Sequence, residues 1–295
     1  MTKKFHGILP ALATPMKSGG DVDFPAYQKL IDWLIDCGVH GLVPVGTTGE
    51  SPTLSHDEHG EVIQYCVKVA KGRVPVIAGT GSNSTAEAIR LTKHAEKANV
   101  DAALLVTPYY NKPTQNGLYA HFKAVADSVK LPIIIYNIPG RCIVDMSDET
   151  MVRLANDCKN IIGVKDATNN LTRPCEGRLN IGDDFIQLSG EDGTFAAFLG
   201  QGGDGIISVA ANVAPELYVR MYDAWKKSDL QEFASCRDKL YPLSQALFCE
   251  SSPAPLKYAL SLRNICGPDL RLPLLPATQM AQERVNHAMR HAGLI

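Results

Sequence analysis

The chain has 295 residues, 45% of them hydrophobic, and its 29 Lys and Arg nearly balance 31 Asp and Glu for a formal net charge of −2. That is enough material for one large core, since barrels of about 250 residues fold as single domains, and the near-neutral charge forces no face to be basic, so no nucleic-acid partner is expected. No apolar run approaches the ~20 residues of a membrane span, and Met1-Thr-Lys-Lys-Phe-His-Gly7 has no apolar segment of a secretory signal, so a cytoplasmic protein with no membrane partner is expected.

In chain order, short apolar runs occupy 8–14, 41–47, 74–80, 102–107, 133–137, 161–165, 185–189 and 205–209. Their interiors are continuously apolar rather than alternating, as in parallel strands buried on both faces. Helical patterns lie between them. The stretch 24–37 places Tyr27, Leu30, Ile31, Leu34 and Ile35 at helical spacing, and 85–98 and 117–129 keep the same period. Capping side chains at 145–150 precede a helix at 151–155. Strand and helix alternating through eight runs predict a (β/α)8 TIM barrel. An open doubly wound sheet would carry a glycine fingerprint after its first strand, whereas the first run here ends in Thr14-Pro15-Met16. Beyond 209 only helices are predicted, at 214–226, 229–248, 255–265 and 278–292. The expected organisation is a catalytic barrel over 1–226 and a C-terminal helical extension over 227–295, packed as one structural unit.

The eight cysteines, Cys37, Cys66, Cys142, Cys158, Cys175, Cys236, Cys249 and Cys266, form no C-x-x-C pair. They read as reduced thiols, and no metal site is expected.

Chemistry in a barrel sits at the C-terminal ends of strands. The second run ends in Gly46-Thr47-Thr48-Gly49-Glu50-Ser51, the fourth in Thr107-Pro108-Tyr109-Tyr110, the fifth in Tyr136-Asn137-Ile138-Pro139-Gly140-Arg141, the sixth in Lys165-Asp166 and the seventh in Ser189-Gly190-Glu191-Asp192. Lys165 directly follows Ile161-Ile162-Gly163-Val164. Partial burial would lower its pKa and make it a nucleophile able to form an imine with a carbonyl; snorkelling to solvent or pairing with Asp166 would equally satisfy its position. Tyr136 fits an acid/base role, joined by Thr47 and Tyr110 in a hydroxyl relay, or plain packing. The glycine-flanked turn at Thr48 suits a small carboxylate, or only chain reversal. Arg141 fits a second carboxylate, or a surface ion pair. His56 and His59 lie three apart in His-Asp-Glu-His with no third metal ligand evident; Glu87 and Tyr109 suit an ammonium group, and a polar helix N-terminus explains the region as well.

Together, Gly46-Thr-Thr-Gly-Glu50, Tyr136-Asn-Ile-Pro139, Gly163-Val-Lys165 and Gly203-Asp-Gly-Ile206-Ile-Ser208 resemble the dihydrodipicolinate synthase / N-acetylneuraminate lyase family of class I aldolases, from Gly7 to the final Ala292-Gly-Leu-Ile295. Thr47-Thr48, Thr107-Pro-Tyr-Tyr-Asn111 and Arg141 favour its synthase branch. The resemblance implies that Lys165 forms an imine with pyruvate and that no external cofactor is needed. It makes Tyr136 and Thr47 a proton relay completed by Tyr110 from a neighbouring subunit. Thr48 would hold the pyruvate carboxylate and Arg141 the second substrate, aspartate 4-semialdehyde, while Gly190 and Ile207 would line the pocket through their backbone. It also implies a homotetramer, a dimer of dimers, and a regulatory lysine site of Ser51, His56, His59, Asn83, Glu87 and Tyr109. Cys142 stands where the family has Thr or Ser. An aldolase for N-acetylneuraminate or a 2-keto-3-deoxy sugar acid would share Lys165 and Tyr136, and a catalytically silent keto-acid-binding barrel is the remaining alternative.

Overall fold

Runs of apolar residues with no polar interruption become short strands buried along their length. The computed structural model describes residues 4–295. Its strands are β1 (Gly7–Pro10), β2 (Ile77–Gly79), β3 (Ala102–Val106), β4 (Ile133–Asn137), β5 (Ile161–Asp166), β6 (Ile186–Ser189) and β7 (Gly205–Ser208). They form one seven-stranded sheet in the order β1-β7-β6-β5-β4-β3-β2. Each pairing from β2 to β7 is parallel. The helices are α1 (Phe24–Asp36), α2 (His56–Ala70), α3 (Thr85–Lys97), α4 (Gln115–Asp127), α5 (Pro139–Cys142), α6 (Asp148–Asp157), α7 (Arg173–Asn180), α8 (Phe195–Gly200), α9 (Pro215–Lys226), α10 (Leu230–Ala246), α11 (Ala254–Leu262) and α12 (Gln279–His291). The described residues divide into two compact units, one of 75–207 with 4–6, the other of 7–74 with 208–295.

In the first unit, the register sets Tyr136 of β4 beside Lys165 of β5 and Lys165 beside Leu188 of β6. Strands β5 and β6 approach closely because Gly163 has no side chain; a Cβ there would lie 2.6 Å from the Ile186 Cβ and carbonyl oxygen. Outside the strands, α3 and α4, α4 and α6, and α6 and α7 pack in succession. Helix α6 begins at Ser147, whose hydroxyl accepts from the Thr150 N–H, so an orphan donor of its first turn is satisfied.

In the second unit, the expected strand at 41–47 is reduced to a short bridged segment. The chain there runs beside β1, with His40 N–H donating to Ile8 O (2.8 Å), Val43 N–H to Pro10 O (3.0 Å) and Leu12 N–H to Val43 O (2.9 Å). Bridge pairing is confined to Leu42 and Val43, with Val43 facing Ala11. The physical reasons are local. Pro44 has no N–H to continue a ladder, and Val45 turns into the left-handed region at φ 48°, a rare conformation for a β-branched residue. Helix α2 starts from a full capping box, Ser55 and Glu58 exchanging side-chain and backbone hydrogen bonds. After β7 only helices follow, as expected. Helices α9 and α10 pack together and α10 packs on α12; α12 begins at its Thr278 cap. No helix among the described residues is long and apolar enough to cross a membrane.

Gly163→Ala tests the β5–β6 approach. A methyl group driven into the Ile186 backbone should lower stability by about 2 kcal/mol, the scale of an overpacked core, as measured by urea unfolding.

Candidate active site

The strand order brings Lys165 and Tyr136 side by side at the C-terminal ends of β5 and β4. Lys165 is buried, with 6% exposure, and its Nζ stands 3.9 Å from the centroid of the Tyr136 ring. Burial is the main cause that pulls its pKa from 10.5 down to about 8; the Arg141 charge pushes the same way, and the Asp192 and Glu191 carboxylates push back. The ring face attracts an ammonium by about 1–2 kcal/mol at most. The fall to about 8 corresponds to roughly 3 kcal/mol of net preference for the neutral amine. Desolvation therefore wins, and a usable share of Lys165 is unprotonated near neutral pH.

Asp166 does not serve as the partner of Lys165. Its carboxylate accepts from the Thr168 N–H (2.9 Å) and hydroxyl (2.6 Å) and from Arg173 Nη1 (3.3 Å). Gly190 makes the room that Lys165 occupies: a Cβ at this position would lie 3.1 Å from Lys165 Cε and 2.7 Å from the Ala167 Cβ. The Gly190 N–H donates to Asp166 O at 2.6 Å, which fixes the end of β6 beside β5. Glu191 and Asp192 follow directly. Their charges act on Lys165, and burial raises the Glu191 carboxyl above its ordinary value, with Asp192 adding to the rise. The sequence showed these two at a strand end, but their bearing on the amine emerges only from the fold. Ile207 is buried on β7.

Asn137, at the end of β4, braces the segment that carries Arg141. Its Nδ2 donates to Asp145 Oδ1 (2.7 Å) and its Oδ1 accepts from the Met146 N–H (3.1 Å). Arg141 is exposed on the single turn α5, and Cys142 beneath it is buried, its thiol pushed up mainly by that burial. Tyr110 stands out differently. Its ring is 88% exposed and its backbone is left-handed at φ 71°. Its loop is tied down by Asn111, whose side chain donates to Asn83 O (2.9 Å) and whose N–H donates to Tyr109 O (2.9 Å). Glu87, on α3, accepts from the Ser82 hydroxyl at 2.5 Å and pairs with Arg90 at 3.5 Å.

In the second unit, Thr47 is half-buried and Thr48 buried. Their turn closes on itself, Gly49 N–H donating to Gly46 O and Glu50 N–H to Thr47 O, both at 3.1 Å. The Thr14 hydroxyl also donates to Gly49 O (2.8 Å). Of the remaining expected residues, Ser51 opens a short 3-10 turn, His56 is exposed at the start of α2, and His59 is buried one turn on. Among the described residues no group of three or more His, Cys, Asp or Glu is placed to hold a metal ion.

These features define an α/β enzyme class with a desolvated lysine on a strand end. The model of the dihydrodipicolinate synthetase family matches residues 4–292, and the chain belongs to that family. It is similar to the 4-hydroxy-tetrahydrodipicolinate synthase of Rhodospirillum centenum, 61% identical over 291 residues and 99% of both chains. Among solved structures it is similar to the chloride-inhibited dihydrodipicolinate synthase of Acinetobacter baumannii complexed with pyruvate. That chain is 45% identical with a TM-score of 0.95, covering 98% of this chain and 99% of that one. The Cyanidioschyzon merolae DHDPS with lysine bound is 38% identical with a TM-score of 0.95, covering 99% of this chain and all of that one.

The amine's pKa is directly testable. Acetylation of Lys165, followed by peptide mass spectrometry, should rise with pH around a midpoint of about 8. Asp192→Asn removes a charge that favours the ammonium and should move the midpoint down. Arg141→Leu removes one that opposes it and should move the midpoint up. Equal midpoints in all three proteins would refute this electrostatic account.

Proposed function

We propose that the protein is a Schiff-base-forming lyase that condenses pyruvate with L-aspartate 4-semialdehyde, the 4-hydroxy-tetrahydrodipicolinate synthase reaction of the diaminopimelate and lysine route. The observation that carries this reading is the buried Lys165 amine against the Tyr136 ring, with its pKa near 8, in a chain 61% identical to a synthase.

The chemistry follows from the neutral amine. Lys165 Nζ adds to the pyruvate carbonyl carbon, and water leaves to give an imine. The imine nitrogen, once cationic, acidifies the pyruvate methyl group; loss of a proton gives an enamine, whose carbon attacks the aldehyde of the semialdehyde. The new alkoxide takes up a proton. The substrate's own amine then adds to the former carbonyl carbon and displaces Lys165, closing the ring and returning the lysine. The net change is loss of one water, and the lysine itself serves as the electron sink that a cofactor would otherwise supply.

Around it we assign Tyr136 and Thr47 to proton transfer and Thr48 to the pyruvate carboxylate. Arg141 is assigned to the carboxylate of the semialdehyde, which a guanidinium can hold bidentately. Gly190 and Ile207 present their backbone to the substrates. Tyr110 acts on the site of a neighbouring subunit in a homotetramer built as a dimer of dimers. Its 88% exposed ring on a strained backbone fits a side chain that finds its surroundings on another copy. We assign Ser51, His56, His59, Asn83, Glu87 and Tyr109 to a regulatory lysine site, a reading supported by the lysine-bound relative. The chain is further read as a closed (β/α)8 barrel over 1–226 with its extension over 227–295, the segment at 40–43 taking the remaining strand place beside β1. Its eight free thiols suit a reducing cytoplasm.

Borohydride reduction in the presence of pyruvate should leave a pyruvate-derived adduct on Lys165, absent in Lys165→Arg. A folded wild-type protein without the adduct would exclude the mechanism and favour the silent barrel. Adduct without turnover of aspartate 4-semialdehyde would favour a sugar-acid aldolase. Tyr110→Phe should lower kcat by about a hundredfold or more, the usual worth of a positioned acid/base group, while the adduct still forms.

A further inference from the structure

Lys257 of α11 is fully buried and forms an ion pair with Glu50, itself 1% exposed. Its Nζ also donates to Asp269 O at 2.8 Å. Nothing in the imine chemistry uses this lysine. A buried ion pair is a poor stabiliser, because desolvating two charges costs several kcal/mol each and apolar replacements of similar volume are often as stable. What such a pair does supply is direction: it fixes one carboxylate against one ammonium.

Glu50 directly follows the Gly46–Thr47–Thr48–Gly49 turn. Its backbone is left-handed at φ 55°, and Val45, just before the turn, is left-handed at φ 48°. Two such residues framing the four positions 46–49 persist only where the surroundings over-determine them. The surroundings here are remote in sequence. The Arg271 N–H donates to the other Glu50 carboxylate oxygen at 3.1 Å, across a separation of 221 residues. The Arg271 guanidinium donates to Gly20 O (2.7 Å) and to Thr53 O (2.7 Å) and forks onto the Glu58 carboxylate (2.9 and 2.5 Å). Each oxygen of Glu50 thus meets a different residue of the 254–271 segment, and the same arginine holds the Thr53 carbonyl just after the turn and the Glu58 carboxylate of α2.

We propose that Lys257 and Arg271 are positioning residues for the Thr47–Thr48 turn, acting on pyruvate capture through Glu50 without touching substrate. The proposal rests on the assignment of Thr47 and Thr48 to pyruvate made above.

The test compares Lys257→Met, the neutral pair Glu50→Gln/Lys257→Met and Arg271→Gln with the wild-type protein. The readouts are melting temperature, KM for pyruvate, kcat and the rate of borohydride trapping at Lys165. Lys257→Met alone leaves a buried carboxylate unpaired and can fail to fold, so the neutral pair carries the argument. Arg271, at the rim with 17% exposure, tolerates substitution and gives a second reading. The expected result is a KM for pyruvate raised at least tenfold and slower trapping, with a melting temperature close to wild type in the neutral pair. Arg271→Gln should show a smaller change in the same direction, and the acetylation midpoint of Lys165 should stay at about 8 in both. Wild-type KM and trapping in either folded variant would overturn the proposal and leave the network as scaffold alone. A wild-type protein that traps no pyruvate would instead overturn the function reading.

Discussion

Taking the Lys165 amine out of water costs more than the neighbouring carboxylates and the Tyr136 ring give back, and the candidate chemistry depends on that imbalance. If Asp166 had turned toward the amine, a close carboxylate would have held it as an ammonium. Instead the Asp166 carboxylate is occupied by Thr168 and Arg173. Glu191 and Asp192 act on the amine only in part, because burial raises Glu191 toward its own neutral form. Balance of this kind keeps the amine both titratable and reactive near pH 8, where general acid–base and nucleophilic groups do most work.

Much of this was legible in the sequence, and the reasons are uneven. Strand β4 falls at 133–137 as read, because three isoleucines and a tyrosine in succession favour a buried strand that the polar Asn137 closes. Helix α12 falls within a residue of its expected ends, because Thr278 is a strong cap. The run at 41–47 looked the same in composition, yet Pro44 and the left-handed Val45 stop it after the bridged residues Leu42 and Val43. An apolar run reports burial, and only the missing donor at proline distinguishes a strand from an apolar turn. The Ser55–Glu58 capping box that starts α2 was not read from the sequence.

The candidate site divides in the same way. Lys165, Tyr136 and Gly190 were legible because strand ends carry chemistry in this architecture, and parallel register then sets Tyr136 beside Lys165. Lys257 was not singled out. The one signal for it was a cation inside the apolar stretch Ala254-Pro-Leu-Lys-Tyr-Ala-Leu-Ser-Leu262, on the face that also buries Leu256 and Leu260. A lysine in that setting demands a buried acid, but which acid is a long-range fact. Glu50 lies more than two hundred residues earlier in the chain, and no local pattern links the two.

That separation also orders events on the ribosome. Chains emerge from the N-terminus, and units begin to fold as they appear. The Gly46–Glu50 turn is synthesised early, the nucleophile later, and Lys257 and Arg271 later still. A nascent chain therefore holds its reactive amine before the turn that is read as selecting the substrate has been fastened. On that reading the turn is fastened only once the 254–271 segment has been made, which gives this segment a part in timing as well as in packing.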